Sequence, residues 1–273
     1  EHGYELWKSD GTEAGTVMVS DINPGVEGSL YETGLFAELN GSLFFGADDG
    51  AHGRTLWRTD GTPGGTVQVA DVNLQFSFFN SGRNFRRAIA VGRALYFGGQ
   101  GPAHGLELWK TDGTTAGTVL VRDINPGPGA SGPQGFGEIN GQLFMYAFDP
   151  AHGYEPWLSD GTDAGTHLLE DVFPGTGWSF VGLPQSMGGE VYFPARVSNF
   201  GKEELWKTDG TEAGTTRVKE FVGNNPIVTD SLTPLGGKLF FIAASAADPS
   251  LTDLWSSDGT IDGTGIVKAG LQY

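Results

Sequence analysis

The chain has no cysteine. That removes disulfide staples, thiolate metal sites and cysteine nucleophiles together. It has no twenty-residue apolar run, which excludes a membrane-spanning helix. Positive charge is scarce: 16 Lys and Arg stand against 33 Asp and Glu, a net charge of −17. Such a surface repels nucleic acid and anionic lipid. No stretch carries the 3.6-residue apolar period of an amphipathic helix. The signatures HExxH, GxSxG and Walker A are missing as well. One GxGxxG match, Gly127 to Gly132, is followed by no helical pattern and reads as a loop without a phosphate role. There is no initiator Met and no signal peptide, and Glu1 falls inside a repeat, so the expectation is a processed or excised piece of something longer.

What the chain does have is one phrase written six times. ELWKSDGTEAGT starts at Glu5, and its variants start at Thr55, Glu107, Glu155, Glu204 and Asp253. Each carries one Trp (Trp7, Trp57, Trp109, Trp157, Trp206, Trp255), spaced 48 to 52 residues apart. A period near fifty marks stacked supersecondary units, none of which can bury its apolar faces alone. One domain over residues 1–273 is therefore expected, since no linker or composition shift divides it.

Residues 33–72 show what one unit contains. Four short apolar runs, here strands A to D, are separated by turn chemistry. Asn40-Gly41 joins A to B, because that pair accepts positive φ at both central positions. Strand B reads LFF, LYF, LFM, VYF and LFF in successive units, so both of its faces are expected to be buried. Strand D alternates apolar and variable residues, as a half-exposed edge does. About a dozen residues then cross to the next strand A, the pattern of a β-propeller blade. The shared DGTxxGT reads as the C–D turn, with Asp and Thr satisfying local N–H groups and Gly taking left-handed conformations, rather than as a carboxylate site in every blade.

Strands C and D occur six times, A and B five times. The expected class is all-β, a β-propeller of four-stranded blades, with five blades closed by a terminal C–D hairpin. A ring of six with one incomplete blade is the alternative. Residues 1–22 form the half-blade and 23–273 the five repeats. The spare C–D hairpin offers an open edge for self-association.

The phrase also resembles the repeat for which bacterial ELWxxDGT-repeat proteins are named. The resemblance covers the whole chain. It implies a propeller-like array in a large, secreted or surface-associated protein, hence an extracellular location. It implies no activity and no catalytic residues. Pro156, Thr55 and Asp253 depart from the pattern, and Pro156 removes a ladder donor, so a bulge is expected there.

Candidate site residues fall mostly on the variable D–A crossings. Trp178 and Phe180, Tyr31, and Phe78 and Phe79 beside Arg83, Arg86 and Arg87 are the ligand-binding candidates, with Phe76 preceding them in the same segment. Aromatics suit sugar stacking or a protein partner, and the Arg cluster suits a carboxylate. His2, His52, His104 and His152 sit in different units, so they read as loop-stabilising residues, not ligands of one ion. No cofactor is expected except calcium, for which Asp21, Asp71, Asp123 and Asp171 are candidates at the ends of strands D, although no DxDxDG loop exists. Asn40-Gly41-Ser42 matches the glycosylation sequon but reads as a turn. The leading functional expectation is a non-catalytic extracellular binding or adhesion module for carbohydrate or a surface glycoprotein. One alternative is a glycoside hydrolase or lyase using Glu38 and Glu138, if those carboxylates pair. The other is a structural bead of a longer surface protein or filament.

Overall fold

The computed structural model describes residues 2–30, 35–74, 88–179, 182–198, 203–221, 227, 231–248 and 250–272. All regular structure among them is β, and every pairing within the sheets is antiparallel. The first sheet has only β1 (Leu6–Lys8) and β2 (Val17–Ser20). Five four-stranded meanders follow. They comprise β3 (Phe36–Leu39), β4 (Ser42–Asp48), β5 (Arg54–Thr59) and β6 (Val67–Ala70); then β7 (Ala88–Val91), β8 (Ala94–Gln100), β9 (Leu106–Thr111) and β10 (Val119–Arg122). Next come β11 (Gln134–Ile139), β12 (Gln142–Asp149), β13 (Gly153–Ser159) and β14 (Thr166–Leu168). The last two are β15 (Gln185–Met187), β16 (Glu190–Arg196), β17 (Glu203–Thr208) and β18 (Thr216–Glu220), and β19 (Thr233–Leu235), β20 (Lys238–Ala244), β21 (Thr252–Ser257) and β22 (Gly265–Leu271). In each sheet the spatial order is the sequence order, A to D. These sheets form two compact units, β1 to β10 and β11 to β22.

The elements follow from local chemistry. Asn40 and Gly41 take φ of 52° and 77°, as do Asn140 and Gly141, which closes the A–B hairpins with the twist the strands need. Strand B is buried on both faces: Phe44 and Phe45 are fully covered, as are Phe144 and Met145. Each strand-C Trp of a complete sheet stands opposite a strand-B residue, for example Phe45 opposite Trp57 and Phe241 opposite Trp255. Consecutive sheets meet in a repeating way. Leu56, Val69 and Val72 pack on Leu95, Phe97 and Trp109 of the next sheet. Leu205, Val218 and Phe221 pack on Leu239, Phe241 and Trp255, with the Phe221 and Trp255 rings edge-to-face at 5.1 Å. The two-stranded sheet uses the same interface, placing Leu6, Val19 and Ile22 on Phe45, Ala47 and Trp57.

Each letter of the repeated phrase has a physical duty. In the turn after β5, Asp60 Oδ1 accepts the N–H and hydroxyl of Thr62 at 2.9 and 2.7 Å. Thr62 Oγ1 in turn accepts the Gly65 N–H, and Thr66 Oγ1 donates to the Thr62 carbonyl. The hydroxyls of Thr59 and Thr66 lock the two strands together at 2.7 Å. The same network recurs in the other five turns. The first Gly of the turn needs φ near 90°, 87° at Gly61 and 91° at Gly11. The second Gly is fixed by space, because a Cβ at Gly65 would collide with the Asp60 carboxylate.

Pro156 corrects one expectation. The register of β13 runs unbroken, with Tyr146 opposite Pro156 and Trp157 opposite Leu168. Bulges occur instead where strand D pairs with a strand C that lacks Pro, as between Leu56 and Trp57 or Leu205 and Trp206. Pro156 ends the pairing early: Leu169 N–H bonds the Pro156 carbonyl beyond the three-residue β14.

Candidate functional site

Glu38 lies on the exposed side of β3, opposite Leu43 of β4. It opens onto a groove of about 330 Å³ in the first unit, together with Leu6, Trp7 and Lys8 of β1, Val19, the Gly41-Ser42-Leu43 hairpin, and Thr59, Asp60 and Gly61 of the next turn. Among the described residues β1 pairs with β2 alone. Trp7 is 56% exposed, whereas its counterpart Trp157 is buried. The Lys8 ammonium crosses to the neighbouring sheet and donates to the Gly61 carbonyl at 2.7 Å.

The two carboxylates in this groove differ in their ties. Asp60 is held by the Thr62 hydroxyl and N–H, which pull its pKa below the usual value and keep it ionised. Glu38 makes no hydrogen bond or ion pair among the described residues, so its carboxyl is open to a bound molecule. One free carboxyl, one fixed carboxylate, an ammonium and an exposed indole face therefore share a small cleft. That set can move a proton, stabilise developing positive charge and stack on a flat apolar ring face.

The other expected site residues fall as follows. Glu138 belongs to the second unit, where its Oε1 accepts the Gly141 N–H at 2.7 Å and so braces its own hairpin. Asp60, unlike Glu138, is placed in the groove with Glu38, a partner that reading the phrase as turn chemistry hid. Trp178 is 44% exposed and lies against the Tyr154 ring, with centroids 6.1 Å apart. Tyr31, Phe76, Phe78, Phe79, Arg83, Arg86, Arg87 and Phe180 lie outside the described residues.

The His-Gly loops are tied locally. His2 and His104 pair with Asp21 and Asp123 at 2.8 and 2.9 Å, and His52 and His152 pair with Asp49 and Asp149 three residues earlier. The Asp49 hydrogen bond raises the His52 pKa, and the same bond with two backbone N–H groups takes Asp49 down to about 2. Of the calcium candidates, Asp71 is exposed, while Asp21, Asp123 and Asp171 each keep one buried oxygen without a hydrogen-bond partner. Among the described residues, no group of three or more His, Asp or Glu is placed to hold one ion.

The initial Glu of the phrase is a buried carboxyl that was not singled out in the sequence. Glu107 is fully covered and accepts the Ile124 N–H, the Ser131 N–H and the Ser131 hydroxyl, all from the following crossing. Glu5 holds Ile22 and Ser29 in the same way, and Glu155 holds Val172. Burial outweighs these donors and pushes the pKa of Glu107 up to about 7 and of Glu155 to about 8. A shifted carboxyl is a signature of active sites, but here every partner is the backbone or Ser of one crossing, so the group is a clamp. The signal that could have found it is the invariable step from each of these Glu to an Asp-Ile or Asp-Val seventeen residues on.

No family model matches the chain, and no curated protein matches it. Solved structures do. A puromycin hydrolase superposes over 97% of this chain and 42% of its own, with 15% identity and a TM-score of 0.54. A Mycobacterium tuberculosis puromycin-hydrolyzing peptidase covers 88% of this chain and 37% of its own, at 12% identity and a TM-score of 0.55. An oligogalacturonate lyase in complex with manganese covers 84% of this chain and 62% of its own, at 14% identity and a TM-score of 0.50. At these identities the likeness is one of fold, and the fold is β-propeller-like. The chain spans about two fifths of the length of the hydrolases it matches. These structures correct the expectation of a non-catalytic carbohydrate-binding or adhesion module, since the three structures named above are a hydrolase, a peptidase and a lyase.

Proposed function

We propose that the chain is a propeller-type domain of a glycoside hydrolase or polysaccharide lyase, with the Glu38 groove as its reaction site. The observation that carries this reading is the untied Glu38 carboxyl in a cleft that also holds Asp60, Lys8 and the open face of Trp7. Glu38 acts as the general acid or base, because its carboxyl is not tied to the scaffold and faces the groove. Asp60, ionised and fixed by Thr62, stabilises the positive charge that develops at an anomeric centre. Trp7 offers the apolar ring face on which a pyranose stacks. The enzymes that share the fold raise the prior by analogy and supply no residue of this site.

The same reading counts six blade positions, the first filled only by strands C and D. Its support is that β1 and β2 meet the next sheet through the interface that complete sheets use. The test is a panel of neutral and acidic oligosaccharides, scored for new reducing ends and for the ultraviolet absorbance of an unsaturated product. Turnover of either kind supports the proposal. No turnover of any member removes it.

A further inference from the structure

We infer that Glu155 and Asp171 together form a site for one hard divalent cation, calcium or magnesium. Glu155 lies on β13, and Asp171 follows β14 of the same sheet. The Oε2 of Glu155 accepts the Val172 N–H at 3.0 Å, which brings its carboxyl beside Asp171. Glu155 is fully buried, yet its Oε1 has no hydrogen-bond partner. Asp171 Oδ1 is likewise buried without a partner. Neither oxygen of Asp171 makes a hydrogen bond or ion pair among the described residues. Burial raises the Glu155 pKa, and the charge of Asp171 adds to the rise, so the two groups feel each other.

The other repeats show what normally meets these two positions. In the first, Asp21 stands at the place of Asp171, and His2 lies 2.8 Å from its Oδ2. In the third copy of the phrase, His104 lies 2.9 Å from Asp123 in the same way. In the fifth, the two positions are Glu204 and Glu220, and Arg217 reaches both, at 3.0 and 3.6 Å. The remaining two copies carry one carboxylate instead of two: Asp71 beside Thr55, and Asp253 beside Ala269. Thus each other copy that sets two carboxyls here also brings a basic side chain to them. The Glu155 copy does not, because its loop histidine, His152, turns to Asp149. Buried charges are paired or coordinate a metal, and here the described residues supply no pairing group. Carboxylate oxygens are what calcium and magnesium take, and magnesium commonly uses one or two carboxylates with water in the other positions. Two carboxyls therefore suffice without a third. Metal entry releases the Glu155 proton to solvent. The inference is independent of the Glu38 groove, which lies in the other unit.

The test is calorimetric titration of the chelator-treated chain with calcium chloride and, separately, with magnesium chloride. The expected result is saturable binding of one ion per chain, with a melting temperature a few degrees lower when chelator replaces the cation. Asp171→Asn, which loses no described contact, should weaken binding at least tenfold. Glu155→Gln, which keeps an acceptor for the Val172 N–H, should do the same, and Asp123→Asn should bind as wild type does. No saturable binding of either ion up to about 10 mM, beyond the weakest class of calcium sites, would overturn the inference; that is the result expected if a bridging water satisfies the two oxygens. Wild-type affinity in Asp171→Asn would overturn it as well, as would an equal loss in Asp123→Asn.

Discussion

Replacing Glu107 by Gln tests the clamp at the start of the repeated phrase. The carboxyl is fully buried and takes three donors from the Ile124–Ser131 crossing. Burial raises its pKa from the usual 4.5 to about 7. Between those values the folded chain holds a proton that the unfolded chain has released, so stability falls as pH rises through this window. The full shift corresponds to about 3 kcal/mol, an upper bound because the unfolded chain is not fully extended and solvated. Gln keeps one acceptor oxygen and loses the other, costing about 1 kcal/mol at pH 5, where the native Glu is neutral too. At pH 9 the native Glu is ionised and carries its burial penalty, while Gln does not. Urea unfolding at the two pH values should therefore show Glu107→Gln less stable than wild type at pH 5 and level with it or more stable at pH 9. A deficit that grows with pH would refute the reasoning, since it would mean that the donors, not burial, set the state of the group.

Three further outcomes follow from the same geometry. Asp112→Ala removes the two bonds that Thr114 makes in its turn and should lower both the urea midpoint and the melting temperature, the latter by a few degrees. Gly117→Ala drives a methyl into the Asp112 carboxylate and should cost at least as much, although its backbone has no unusual φ. For His52, the charge attraction to Asp49 is in place below the raised imidazole pKa and is lost as pH rises through it, so Asp49→Asn should move the NMR titration of His52 back down toward 6.5; no movement would contradict the pairing.

Much of the scaffold was legible because it is written in residues with few conformational options. Asn-Gly dictates the A–B hairpin, and the paired aromatics of strand B dictate burial on both faces. Asp-Gly-Thr was correctly read as a turn, yet its second Gly is needed for clearance from Asp60 and not for a left-handed backbone, which composition cannot reveal. Pro156 misled because the lost donor lies where strand D simply stops. The groove was less legible still. It depends on Trp7 being exposed where its counterparts are buried or half-buried. Glu38 was visible as a carboxylate, but its neighbour Asp60 arrives from the turn after β5 of the same sheet, about twenty residues on. The clamp role of Glu5, Glu107 and Glu155 was hidden because a charged residue beside Leu-Trp looks like a solvated face, and only packing shows it buried.

The most direct measurement is a comparison of wild type, Glu38→Gln, Asp60→Asn and Glu138→Gln on whichever oligosaccharide the wild type turns over. Asp60→Asn keeps the acceptor oxygen that holds the turn, so loss of rate there reports charge and not folding. The account predicts a fall of about 10²–10⁴-fold for Glu38→Gln, a comparable fall for Asp60→Asn, and near wild-type rates for Glu138→Gln, which only braces a hairpin. Full activity in Glu38→Gln would contradict the assignment of this groove as the reaction site.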